Sequence, residues 1–189
     1  MLPGFCRLGA WACDADLIAT IVSFVFGDMN LEVMCTCTWE IRMQVSLRSE
    51  HFEQMSFSRG GEHVALVSDV KVNVWNVASG QLLYRDRLDM PDWYNSTCAW
   101  ALNGRALALV NGSSDRVQVV DVATWTSVWV RPMQGHTVLR VRWSPVGTSM
   151  LCLCEPSLAF ITTINVAADK VHACLVNFAS IRRSQRIAL

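Results

Sequence analysis

The chain has 189 residues, 52% of them hydrophobic and 17% charged, with a formal net charge of zero. That balance excludes a disordered chain and removes the basic excess expected of a nucleic-acid or anionic-membrane binder. Eight cysteines follow no repeated frame and several sit in apolar runs, which points to thiols in a reducing, intracellular compartment rather than a disulfide framework.

In chain order, the spacing from Asp14 predicts a helix. Leu17, Ile18, Ile21, Val22, Phe24 and Val25 make a broad apolar face, Asp14 is placed to cap it, and Gly27 to end it. A second helical piece over 29–38 carries Leu31, Val33 and Met34 towards Trp39. The apolar run 17–26 is too short to span a bilayer, and Asp14 and Asp16 stand where a signal peptide needs positive charge. The expectation is no membrane span, no secretion, and residence in cytoplasm or nucleus.

From Ile41 the period becomes two: Ile41, Met43, Val45 and Leu47 alternate with polar residues, as in a strand with one wet face. Strands are then expected over 54–58, 63–67, 71–76 and 81–85. Further sets follow over 97–101, 106–110, 116–121 and 126–131, and over 138–143, 149–154, 158–164 and 170–176. Gly60-Gly61, Ser79-Gly80, Asn103-Gly104, Asn111-Gly112 and Pro145-Val146-Gly147 punctuate them as turns.

These three sets repeat one another. Phe57, Trp100 and Trp143 lie 43 residues apart, each followed four positions later by Gly61, Gly104 or Gly147. Asn76-Val77-Ala78, Asp121-Val122-Ala123 and Asn165-Val166-Ala167 close the units, 45 and 44 residues apart. A period of about 40–45 residues with four short strands per unit points to propeller blades.

The residues that carry this repeat resemble WD40 repeats. Gly135-His136 before Val141-Arg142-Trp143-Ser144-Pro145-Val146-Gly147 is similar to the opening of such a repeat. Asp69-Val70-Lys71-Val72-Asn73-Val74-Trp75-Asn76 is similar to the closing half, and the second unit keeps Asp115 and Val117-Gln118-Val119-Val120-Asp121. The family's four-residue buried network is incomplete in every unit: His136 is followed by Glu155 and Ile164 where the family has aspartate and tryptophan. The resemblance implies structural roles for Phe57, Trp100, Trp143, Gly61, Gly104, Gly147, Asp69, Asp115, Trp75 and His136. The expected fold is mainly β: a partial WD40-like propeller of about three four-stranded antiparallel blades behind a short α-helical N-terminal segment. Its boundaries are 1–40 for the helical segment, 41–177 for the repeats (about 50–89, 90–134 and 135–177) and 178–189 for a basic tail. Propellers close with roughly four to eight blades, so further blades or another chain would be needed to close this one.

Asp16-Leu17-Ile18-Ala19-Thr20-Ile21-Val22-Ser23-Phe24-Val25, followed by Asp28, Leu31, Cys37 and Trp39, resembles an F-box, although the usual Leu-Pro opening is absent. That resemblance implies that Leu17, Ile21, Phe24, Leu31 and Trp39 dock the linker subunit of a cullin-type ubiquitin ligase, the blades then holding a substrate protein. The alternative is a helical pair that caps the first blade, leaving a plain scaffold subunit or propeller fragment with no ubiquitin role. Arg85, Arg87, Trp93 and Tyr94, between units, have the composition of a protein-binding hot spot and equally of a loop folded over to fill a gap between blades. No phosphate loop, paired catalytic carboxylates or metalloprotease helix is present in the sequence. Cys35-Thr36-Cys37 and Cys152-Leu153-Cys154 read as packing. The sequence thus predicts a non-enzymatic protein-interaction scaffold without cofactor, metal, nucleic acid or membrane.

Overall fold

Apolar residues on both faces of a strand can imitate the stripe of a helix, and that is what happens at the start of this chain. In the computed structural model, which describes residues 5–12, 14–23, 28–48, 50–68, 71–87, 97–110, 116–133, 137–155, 158–165 and 170–177, the expected helices are strands. Strands β1 (Phe5–Ala12), β2 (Leu17–Ser23), β3 (Met29–Cys35) and β4 (Ile41–Leu47) form an antiparallel meander, sheet 1. Leu17, Ile18, Ile21 and Val22 have helical spacing only because Ala19 and Ile21 serve one face and Ile18 and Val22 the other. The β-branched run Ile18, Thr20, Ile21, Val22 favours the pleated backbone. In β3, Met29, Leu31 and Val33 are buried at alternate positions. The α-helical N-terminal segment is therefore corrected to a fourth sheet.

Three more meanders follow: β5 (Phe52–Phe57), β6 (His63–Ser68), β7 (Lys71–Asn76) and β8 (Leu82–Arg87) in sheet 2; β9 (Thr97–Trp100), β10 (Ala106–Val110), β11 (Arg116–Asp121) and β12 (Thr126–Pro132) in sheet 3; β13 (Thr137–Trp143), β14 (Ser149–Glu155), β15 (Leu158–Asn165) and β16 (Lys170–Asn177) in sheet 4. The described residues hold four such sheets where the sequence predicted three.

The chain divides into two compact units, Met1–Asp89 with sheets 1 and 2, and Met90–Leu189 with sheets 3 and 4. Each has its own core. In the first, Ala19, Ile21, Leu31 and Val33 from sheet 1 meet Val64, Leu66 and Trp75 from sheet 2. In the second, Ala106, Ala108, Val110, Val117 and Val119 from sheet 3 meet Val138, Val141, Met150, Cys152 and Cys154 from sheet 4. The earlier sheet offers its forward face and the later one its backward face, which use opposite parities of the strand.

The register explains the repeated aromatic and glycine. Phe57 pairs with Val64, Trp100 with Leu107 and Trp143 with Met150. The residue after each aromatic opens a turn: the Gly61 N–H donates to Ser58 O at 3.1 Å, Gly104 to Ala101 O at 2.9 Å and Gly147 to Ser144 O at 2.9 Å. These glycines have φ of 71, 72 and 69°, in the left-handed region that a side chain resists. Two also lie hard against the preceding sheet. A Cβ on Gly61 would come within 2.7 Å of Leu17 Cδ1, and one on Gly147 within 2.7 Å of Asn103 Cγ and 3.0 Å of its backbone nitrogen.

Around these seats the sheets are hydrogen-bonded to one another. The Gly60 N–H donates to both oxygens of Asp14 at 3.0 Å. Asn103 Nδ2 donates to Gly147 O at 3.1 Å, and the Trp143 indole N–H to Ala99 O at 2.9 Å.

Gly147→Ala combines left-handed strain of about 1 kcal/mol with overpacking of about 1–3 kcal/mol. It is expected to lower unfolding stability by roughly 2–4 kcal/mol in chemical denaturation. Gly104 has the same backbone but open space where a Cβ would go, so Gly104→Ala should cost about 1 kcal/mol. Equal losses at the two sites would refute the seat.

Candidate interaction surface

The structure separates the residues expected to bind a partner. Ile21 and Leu31 are fully buried, and Leu17 is half-buried where it packs on the first core. Ile21 and Leu31 are thus taken up by the core. Phe24, Trp93 and Tyr94 lie outside the described residues, as do Asp69, Asp115 and His136. Trp75 is buried in the first core. Arg85 and Arg87 are exposed on β8, and Arg85 Nε donates at 3.0 Å to Oδ1 of the buried Asn73, which fixes its direction.

Of the described residues expected to dock the linker subunit, Trp39 is the one that is exposed, at 67%, and its setting is a turn. Its N–H donates to Cys35 O at 2.7 Å, as Gly80 does to Asn76 O at 2.9 Å and Trp125 to Asp121 O at 2.8 Å. All three have positive φ: 60, 67 and 55°. Trp125 recovers some of that strain by an edge-to-face contact with Trp100, ring centres 6.4 Å apart. The next residues match too: the N–H groups of Thr36, Val77 and Val122 donate to Asp16, Glu62 and Arg105 carbonyls at 2.9, 2.9 and 3.0 Å. Cys35-Thr36-Cys37 is thus the counterpart in sheet 1 of Asn76-Val77-Ala78 and Asp121-Val122-Ala123.

That correspondence gives Cys35 its chemistry. In the sister turns the side chain at this position accepts backbone N–H bonds: Asp121 Oδ1 takes those of Ala123 and Thr124 at 2.9 Å, and Asn76 Oδ1 that of Ser79 at 2.9 Å. Cys35 puts a sulfur there. The Thr38 hydroxyl, then the Thr38 and Cys37 N–H groups, stabilise its thiolate and draw the thiol from 9.0 down to about 7. The Asp16 carboxylate beside Cys37 pushes that thiol the other way. Burial raises Cys152 to about 12 and Cys154 to about 11. No disulfide joins Cys35, Cys37, Cys98, Cys152 or Cys154, and among the described residues no cluster of three or more His, Cys, Asp or Glu could hold a metal ion.

The two turns at this end of sheet 1 frame a cleft of about 320 Å³, lined by Trp11, Ala12, Asp14, Ala15, Asp16 and Thr36. Trp11 lines this cleft beside Asp14 and Asp16 and is 64% exposed, while Trp39 and Ile41, at the second turn and the start of β4, are 67 and 52% exposed. Of these only Trp39 was singled out in the sequence. Trp11 is the counterpart of Phe57, Trp100 and Trp143, since it pairs with Ile18 across the same seven-residue turn spacing. Ala15 replaces the repeated glycine there, its N–H donating to Ala12 O at 3.3 Å, and that substitution hid the unit.

No family model matches the chain, and no curated relative does. Among solved structures it is similar to the WD40 domain of SCAP from fission yeast, with a TM-score of 0.66 and 13% identity over 90% of this chain and 44% of that one. The fold is that of WD40 blades. Each four-stranded sheet fits a blade, and the chain spans less than half the length of that neighbour. The F-box-like reading finds no helix in 17–23 or 29–35 on which to rest.

Alkylation followed by mass spectrometry checks the turn. The rate at Cys35 should rise as pH passes through about 7 and its thiolate forms, and Cys37 should follow at higher pH. Cys152 and Cys154 should stay unlabelled in the folded chain, and Cys35→Asn should keep the fold because Asn76 occupies the same turn. Matching profiles for Cys35 and Cys37 would remove the proposed thiolate seat.

Proposed function

We propose that this protein is a non-enzymatic protein-interaction scaffold of WD40 type. The observation that carries the reading is the contrast between the blade cores and the exposed apolar residues of blade 1: Trp11 lines a cleft with Asp14 and Asp16, and Trp39 and Ile41 are exposed on the turn and strand that close the sheet. Indole and aliphatic surface held on a fixed backbone loses little entropy on docking, which suits it to binding a protein segment. Exposed Arg85 and Arg87 on blade 2 supply a second, basic contact, with Arg85 held by Asn73. WD40 folds typically serve as scaffolds without chemistry of their own, and binding by display rather than turnover fits that pattern.

Of the two roles raised by the sequence, the plain scaffold is favoured over the ubiquitin-ligase receptor. The linker subunit would need a helical hook, whereas Ile21 and Leu31 are spent in the core. We propose the cytoplasm or nucleus for it, on the ground that the eight cysteines of the sequence follow no repeated frame.

Quantitative affinity enrichment with the unmodified chain, Trp39→Glu/Ile41→Glu and Arg85→Glu/Arg87→Glu tests the reading. Specific partners should be lost from the first variant by about tenfold or more, the size of effect of removing a hot-spot residue. Purified linker subunit should not bind the unmodified chain. A partner set indifferent to both double substitutions would end the scaffold reading, and linker binding abolished by Ile21→Asp would restore the ligase role.

A further inference from the structure

Blade 1 has a face that its siblings use for packing. In blades 2 and 4 the backward face meets the preceding blade: Phe57 and Val64 enter one core, and Trp143 and Met150 the other. The same register positions in blade 1 are Trp11 and Ile18, continued across the sheet by Met34 and Ile41. The row Trp11–Ile18–Met34–Ile41 therefore crosses all four strands on the face opposite the first core, and its two ends are 64 and 52% exposed. In the next row Thr20 pairs with Glu32, and Glu32 with Gln44. Thr20 Oγ1 is buried there without a hydrogen-bond partner.

The matching forward face is also on this chain. In blades 1 and 3 the forward face puts Ala19 and Ile21, or Ala108 and Val110, into the core. Their counterparts by register in blade 4 are Leu151 and Leu153, which pair with Arg142 and Arg140 and are 39 and 44% exposed. Leucines at positions that face the next blade, flanked by two exposed arginines, complement an apolar row flanked by Glu32.

We propose that the forward face of blade 4 in one copy docks on the backward face of blade 1 in a second copy, repeating between chains the packing that joins blades 1 and 2 and blades 3 and 4 within them. The contact is heterologous: Leu151 and Leu153 of one copy cover Trp11, Ile18, Met34 and Ile41 of the other, and Arg140 and Arg142 approach Glu32. Each copy carries one face of each kind, so association runs head to tail.

Sedimentation velocity over a concentration series is the test. The unmodified chain should self-associate reversibly, and Trp11→Glu or Leu153→Glu should each weaken association by on the order of 100-fold, as expected for a charge placed in a desolvated hot spot. The decisive arm mixes the two variants. Trp11→Glu keeps an intact blade 4 face and Leu153→Glu an intact blade 1 face, so an equimolar mixture should form a one-to-one dimer that grows no further. Both side chains are exposed in the single chain, and Ile41→Glu with Leu151→Glu provides a second pair should either variant misfold. A chain that stays monomeric throughout overturns the proposal. So does a mixture that fails to pair, which would mean a like-with-like contact or a face reserved for blades of another chain.

Discussion

The close approach of one blade's first turn to the turn of the blade before it is the constraint on which the rest of the structure depends. Gly61 and Gly147 both take a left-handed φ, and at Gly147 Asn103, up to its backbone nitrogen, also leaves no room for a Cβ, while at Gly61 the methyl of Leu17 lies in that space. The bonds from Gly60 to Asp14 and from Asn103 to Gly147 then hold that approach. Close approach at the turns sets the spacing of the sheets, and the spacing decides which side chains can meet between them: Val64 and Leu66 against Ala19 and Ile21, or Met150 and Cys152 against Ala108 and Val110.

The turns lie where this arrangement runs out. The turns carry strained or exposed residues because no core constrains them: Trp39 in a left-handed conformation, Cys35 in an acceptor position that asparagine and aspartate fill in the sister turns. A thiol with that environment differs from the buried Cys152 and Cys154, whose protons burial holds in place. The same residue type thus serves as turn acceptor on blade 1 and as small hydrophobe on blade 4.

Most of the strands were legible as alternation. Lys71–Asn76, Ala106–Val110 and Arg116–Asp121 fall at the expected positions, and others differ by one or two residues at their ends. Blade 1 was not legible, for reasons that can be traced to single positions. Ala15 stands where the other blades have glycine, Cys35-Thr36-Cys37 where they have Asx-Val-Ala, and the two-faced β2 copies a helical stripe. Trp11 carried the repeat, but without its glycine four residues later the spacing had no echo. Binding sites fared worse than strands, since Ile21 and Leu31 have the residue types of a docking helix and the burial of a core strand.

By itself the sequence determined the repeat, its period, and the blade as the repeating unit, because side-chain alternation and turn glycines are local properties of the chain. Which apolar residues are core and which are surface was decided in three dimensions. Trp11 and Trp143 are the same residue in the same register, yet the indole of Trp143 reaches Ala99 in the neighbouring blade while that of Trp11 stands 64% exposed. The difference is whether a sheet lies against that face, and no window of sequence around either tryptophan contains it.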